Sequence, residues 1–372
     1  MSITRCSFKS VRDLVLSWSG QVKADLSAAQ VLQVDSFINR SLRDWAWPAW
    51  NWPELTYAEK RFYRADYASG TAYSAPTATA ASEVYFPATQ QYYQALKATT
   101  GNAPATLSGS TWSTNDAYWA VASGPYTGSD WLASTAYVAT NIVRNTTDGR
   151  YYQCHTAHTS TSTFDSTKFG ILTIFDPYVS RTQTDSSGTA LTVIGDFLGV
   201  YLDDPHVWPD ARRVPFYTDN LGAHVQTSPR GRRWQRGITT ELVPSAVWVR
   251  FRLKCPDFLG SVWASGSTYT ATTDFVYFEG TGVNYEGDYW QCVTNTSTGE
   301  SPSSATSKWT RLEFPAWLRT CVARKAYADW LRAGAQREAA TVEDGSADDN
   351  LFSTQIEQGA MQAQTLRWRK TA

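Results

Sequence analysis

Apolar positions near the start of the chain recur at helical spacing. Phe8, Val11, Leu14, Val15 and Trp18 lie three and four residues apart, which predicts a helix that Gly20 ends. Val31, Val34, Ile38, Leu42 and Trp45 form a second stripe and predict a helix over 27–45, with Ser27 as its N-cap. The stretch WAWPAWNWPEL, residues 45–55, then sets Trp45, Trp47, Trp50 and Trp52 around two prolines and cannot be helix interior. An aromatic corner between helices and a subunit contact are both open readings of these four tryptophans. Thr56 and Glu59 have the spacing of a capping box and predict a short helix through Arg64.

The C-terminal end has the same period. FPAWLRTCVARKAYADWLRAGAQREAATVE predicts a helix opened by Pro315 and running on alanines, with Trp317, Cys321, Ala328 and Leu331 on its apolar side. The acidic stretch EDGSADDN, 343–350, reads as a break, followed by a helix over 351–369 that carries Leu351, Phe352 and Ile356. The glutamine-rich end of that helix is polar enough to need partners for burial. From about 65 to 313 the pattern changes to short Thr-, Ser-, Tyr- and Val-rich runs between turns, which is strand composition. The fold class expected is α+β: a helical body formed by the N- and C-terminal helices, with a large all-β insertion of three small modules and one further β region.

Those three modules repeat one another. Tyr67 to Tyr73, Trp131 to Tyr137 and Trp263 to Tyr269 keep one spacing, and the strand cores EVYF, NIVR and DFVYF follow. Aromatic doublets come next at Tyr92-Tyr93, Tyr151-Tyr152 and Tyr289-Trp290, then closing aromatics read as Trp112, Phe169 and Trp309. Four matched features in one order, three times over, define a repeated unit. Each is a small meander whose opening and closing aromatics supply the core. In DYWQCV, alternation puts Tyr289, Gln291 and Val293 on one face and Trp290 and Cys292 on the other. TGNAP and TGESP supply turns in the first and third copies; the second has HTSTSTFDSTKF there and must loop differently. The boundaries expected are 1–64 and 314–372 for the helical body, 65–115, 127–172 and 260–313 for the modules, and 173–259 for the central β region.

Composition narrows the function classes. Lys and Arg number 33 against 34 Asp and Glu, so overall charge gives no general reason for nucleic-acid or membrane-surface binding. Five scattered cysteines build no disulfide framework, and a reducing site of assembly is the simpler reading. Charges interrupt every apolar run at the N-terminus, which argues against a signal peptide, and no run is long enough to span a membrane. The chain is expected to be soluble and made in the cytoplasm. With 17 Trp, 20 Tyr and 15 Phe, it suits aromatic-pinned modules or broad protein contacts.

Catalytic and metal constellations are thin. Cys154, His155 and His158 in CHTAH lack a second ligand pair and read as a packed cysteine with loop histidines. Asp203, Asp204, His206 and Asp210 in YLDDPHVWPD read as a turn. There is no phosphate-binding loop and no dinucleotide fingerprint. No catalytic residue, cofactor or metal is expected. Arg230, Arg232, Arg233 and Arg236, with Arg212 and Arg213 nearby, form a basic run suited to phosphate or to an acidic patch on a neighbouring subunit.

Two resemblances follow from these residues. The repeat, with its opening Trp, Tyr, Val-rich strand, doublet, Gly-x-x-Pro and closing Trp, resembles the small chitin-binding modules appended to chitinases. That resemblance implies glycan stacking by Trp131, Tyr137, Trp263 and Tyr269; packing of those rings as module core is the alternative. The segments FINRSLRDWAWPAWNWPEL, ALTVIGDFLGVYLDDPHVWPD, AVWVRFRLKCPDF and FPAWLRTCVARKAYADWLRAGAQREAA…DDNLFSTQIEQGAMQAQ resemble neck adaptors of tailed bacteriophages. This resemblance implies a structural virion protein: a twelve-copy ring between portal and tail or tail-completion proteins, passing double-stranded DNA without reading its sequence. A carbohydrate-binding tail accessory, using three modules on a polysaccharide, is the rival expectation.

Overall fold

The computed structural model describes residues 4–122, 126–183, 191–208, 210–225, 246–258, 260–271, 273–280 and 286–369. It is an α+β protein that divides into two units, 1–56 with 254–372, and 57–253. The third module therefore groups with the terminal helices, and the first two group with the central strands.

In the first unit, helix α1 (Phe8–Ser19) is capped by Ser7, whose hydroxyl accepts from the Ser10 amide. It ends where Gly20 takes φ +69°, a left-handed conformation that closes the helix at little steric cost. Helix α2 (Ala28–Arg40) starts at a full capping box made by Ser27 and Gln30. The chain then widens into a π-helical turn, Ser41–Ala46, closed by the Trp47 amide on the Leu42 carbonyl at 2.8 Å. Strands Arg5–Ser7 and Glu313–Pro315 pair antiparallel, Cys6 opposite Phe314, so the two helical stretches are joined by a short ladder where each begins. Helix α3 (Arg319–Ala333) packs against both α1 and α2 and buries Cys321, Val322, Ala326 and Leu331.

Three elements depart from the sequence expectation. The helix expected to run from Pro315 through Glu343 stops at Ala333, because the chain turns at Gly334 and Ala335, the latter at φ +62°, before a new helix begins at Arg337. Helix α4 runs unbroken from Arg337 to Arg369, through the acidic stretch expected to interrupt it. The reason is electrostatic: Glu343 pairs with Arg324, and Asp344 pairs with Lys325 and Arg332, all on α3. Ala340, Ala347 and Leu351 bury the apolar side between these charges. Thr56 and Glu59 do not open a helix; Thr56–Arg61 is a strand. There Glu59 holds the Arg61 guanidinium of its own strand at 2.5 Å and the distant Thr192 hydroxyl at 2.7 Å, so both oxygens of the carboxylate that a capping box would use are taken.

In the second unit, Thr56–Arg61 edges a sheet ordered Arg213–Val214, Ile194–Tyr201, Val247–Leu253, Thr56–Arg61. A three-stranded sheet, Tyr178–Ser180, Gly222–Val225 and Phe216–Thr218, shares its core. Val179, Ile194, Val200, Val225, Val249 and Phe251 fill that core together with Tyr85 and Tyr92 from the first module. No described helix is long and apolar enough to cross a membrane. All five cysteines are free thiols.

Candidate functional site

The three modules share one set of hydrogen bonds around their opening aromatics. In each, the second tyrosine turns its hydroxyl back on the residue after the opening aromatic. Tyr73, Tyr137 and Tyr269 accept from the amides of Ala68, Leu132 and Ala264 at 2.9, 2.8 and 2.8 Å. The same hydroxyls donate to the carbonyls of those residues at 3.2, 3.3 and 3.4 Å. The opening aromatics bond their amides to the first strand of the meander: Tyr67 to Tyr85, Trp131 to Arg144, Trp263 to Tyr277. A phenolic clamp of this kind staples the turn, whose carbonyls in the first and third modules also accept the amides of Thr71 and Ser267, and fixes the ring that roofs the sheet.

The closing aromatic of the first module is Trp119, not Trp112. Trp119 stands opposite Ala95 in the ladder, as Phe169 stands opposite Cys154 and Trp309 opposite Cys292. Its indole donates to the carbonyl of Asn102 at 2.8 Å, just as Trp309 donates to that of Glu300 at 3.1 Å. Both carbonyls lie one residue past the glycine of the Gly-x-x-Pro turn. An inserted hairpin, Ala105–Ser108 with Thr111–Thr114, separates turn from Trp in the first copy, and Trp112 is a 40% exposed residue on that hairpin.

The doublet divides each module into an inner and an outer face. Its second members, Tyr93, Tyr152 and Trp290, join the modules' own cores. Its first members pack outward on other parts of the same unit. Tyr92 lies against Tyr63 and Phe175 of the central core, its ring stacked on Phe175 at 4.8 Å. Tyr151 packs with Leu96 and Ala120 of the first module. There Gly170 lets the two modules close, since a Cβ would stand 2.4 Å from the Leu96 carbonyl oxygen. Tyr289 meets Phe8 edge-on at 4.9 Å. All three modules thus dock through one equivalent face.

Module three is docked through charge as well. Arg12, fully buried on α1, grips Asp35 of α2 with Nε and Nη2 at 2.5 and 2.6 Å. Its Nη1 donates to the Gly287 carbonyl at 2.6 Å, and Tyr289 donates its hydroxyl to Asp35 at 3.1 Å. Burial works against the Arg12 charge, but Asp35 outweighs it and holds the guanidinium firmly protonated. Burial first, then the Asp35 charge, raises the Tyr289 phenol.

The glycan-stacking candidates sit in this framework. Tyr137 is buried, and Trp131, Trp263 and Tyr269 are partly buried against their module cores. The Nε1 groups of Trp131 and Trp263 and the hydroxyl of Tyr67, three equivalent positions, are buried without a hydrogen bond. Of the tryptophan corner, Trp52 is buried, tilted on Trp317 at 4.6 Å and bonded to the Ala46 carbonyl, while Trp47 is buried as well. Trp50 meets Trp52 edge-on, and Trp45 lies under the Lys325 ammonium at 5.2 Å. Arg230, Arg232, Arg233 and Arg236 lie outside the described residues.

In CHTAH, the Cys154 thiol and His158 Nδ1 both donate to the Thr156 carbonyl, at 3.2 and 2.9 Å. Among the described residues no His, Cys, Asp and Glu side chains cluster as metal ligands. Asp203 is forked to Arg212 at 2.8 and 2.9 Å, and Asp204 accepts the His206 amide within the turn. Residue pattern alone did not single out Arg12, Asp35 or Trp119. A charge at a helical core position, as Arg12 is beside Val11 and Val15, was the available signal for the first pair. No family model, no curated protein and no solved structure matches this chain.

Proposed function

We propose that this chain is a structural, ring-forming subunit of a tailed-phage neck, an adaptor joining portal to tail while DNA passes through the ring. In this reading the terminal helices are the ring body, the β region is its insertion, and the modules are docked struts. The observation that carries it is a set of exposed apolar side chains on α4. Val342, Phe352 and Ile356 are all exposed, and at 100° per residue they fall within roughly 80° of the helix circumference, a sector they share with the exposed Asp349. Large apolar side chains grouped on one side of a long helix point to a protein partner. Twelve copies, portal and tail contacts, and a place in the virion neck follow from the phage resemblance. The inward rings of Trp131, Tyr137, Trp263 and Tyr269 weigh against the polysaccharide-binding rival.

Mass photometry and negative-stain imaging of the purified chain test this. Rings or stable oligomers are expected, and Phe352→Asp with Ile356→Asp should leave folded monomers. A monomer at high concentration that the double substitution does not alter overturns the ring reading. A monomer that also sediments with chitin or bacterial polysaccharide favours the rival.

A further inference from the structure

His224 occupies the centre of the three-stranded sheet in the second unit, in register with Tyr178 on one side and Tyr217 on the other. The imidazole lies between their rings. Tyr217 is parallel to it within 4° at 4.8 Å, and Tyr178 is tilted by 32° at 5.4 Å. Its two nitrogens face two carboxylates: Nδ1 is 3.0 Å from Asp176 Oδ2, and Nε2 is 2.9 Å from Asp219 Oδ2. A neutral imidazole has one N–H and can donate to only one of them. The other contact would then set a lone pair against a carboxylate oxygen. Imidazolium donates to both, and electron-rich ring faces above and below favour the cation further.

The surrounding charges act in the same direction. Asp176, Asp219 and Glu83 carry three negative charges; Arg64 supplies one positive charge, paired with Glu83 and stacked over Tyr178 at 4.4 Å. Arg64 reaches Asp176 itself through the main-chain carbonyl, at 2.9 Å, and lies over the neighbouring Phe175 ring at 4.8 Å. Asp219 is anchored independently, because its Oδ1 accepts the amides of Leu221 and Gly222. Asp176, with a side chain 59% exposed, has the imidazole as its ion-pair partner. On loss of the proton, Asp176 is therefore the arm that lets go.

We propose that His224 is a proton-operated latch: as imidazolium it ties the segment leaving the second module, around Asp176, to the hairpin of Phe216–Thr218 and Gly222–Val225. With both nitrogens donating, the two segments are held together; a neutral ring donates to one carboxylate only and releases the other.

Imidazole ¹⁵N spectra of the full chain, assigned with His224→Gln, read the charge state directly. Two protonated nitrogens are expected on His224 at about pH 6. Raising the pH to about 9 should speed amide exchange in residues 174–178 roughly tenfold beyond its intrinsic pH dependence, the loss of one charge-assisted bond. Asp176→Asn, at an exposed side chain, should keep the fold and abolish that response. A single protonated nitrogen on His224 at the acid end overturns the latch. So does exchange in 174–178 that responds to pH equally in wild type and Asp176→Asn.

Discussion

Replacing Trp119 and Trp112 separately distinguishes the two possible closing aromatics of the first module. Trp119 is 0% exposed, packs with Val84, Tyr93 and Ala105, and bonds the Asn102 carbonyl. Trp119→Ala should cost about 3–5 kcal/mol, the usual loss for a large aromatic removed from a core that cannot close over the space. Trp112, 40% exposed, has one edge contact with Phe86 at 5.7 Å. Trp112→Ala should cost no more than about 1.5 kcal/mol, the upper worth of an aromatic pair. Because the chain has two units, a single unfolding midpoint would blur the effect. Peptide-resolved hydrogen exchange over residues 83–121 isolates it. At about 1.4 kcal/mol per factor of ten, Trp119→Ala should speed exchange there more than a hundredfold and Trp112→Ala about tenfold at most. Equal effects, or the reverse order, would refute the assignment of Trp119 as the equivalent of Trp309.

Other substitutions probe other parts of the argument. Tyr73→Phe, Tyr137→Phe and Tyr269→Phe should each weaken their own module by about 1–2 kcal/mol in the same exchange assay, whereas Tyr67→Phe, which removes an orphaned hydroxyl, should be neutral or slightly stabilising. Arg12→Leu strands the buried Asp35 carboxylate and should cost about 3–5 kcal/mol in denaturant unfolding of the first unit, with much of the loss recovered when Asp35→Leu is added. Hydrogen bonds from the Arg212 side chain and then its amide lower the Asp203 carboxyl to about 2. Any stability it contributes is present above the ordinary carboxylate range and lost as pH falls through about 2; carboxyl ¹³C titration should show this, with Arg212→Gln returning Asp203 to the ordinary range. Burial raises the Cys6 and Cys321 thiols to about 12, so thiol reagents at neutral pH should label both quickly only in denaturant.

Helical stripes with a cap at one end were the most legible part of the sequence, because period and punctuation agreed: Ser27 and Gln30 box α2, and Gly20 closes α1. The threefold repeat was equally plain, since its aromatics keep their spacing even where its loops do not. Errors came where partners distant in sequence took over a local signal. EDGSADDN looks like a solvated break until Arg324, Lys325 and Arg332 are brought against it. Glu59 looks like a capping residue until Thr192, 133 residues on, claims one of its oxygens. Counting residues to the closing aromatic failed in the first module because a hairpin had been inserted between turn and tryptophan. The His224 cluster draws on Arg64, Glu83, Asp176, Tyr178, Tyr217 and Asp219, and no local pattern joins such residues.

The Arg12–Asp35–Gly287 junction sets a timetable for synthesis. Some 250 residues must be added after Asp35 before the carbonyl of Gly287 exists, roughly 10–50 s at ordinary elongation rates. Throughout that interval the first two helices lack α3 and a complete third module, while residues 57–253 hold everything their own core requires once Leu253 has been added. The middle of this polypeptide is thus equipped to mature first, and the first two helices have to wait, greasy and charged, for residues 260–333.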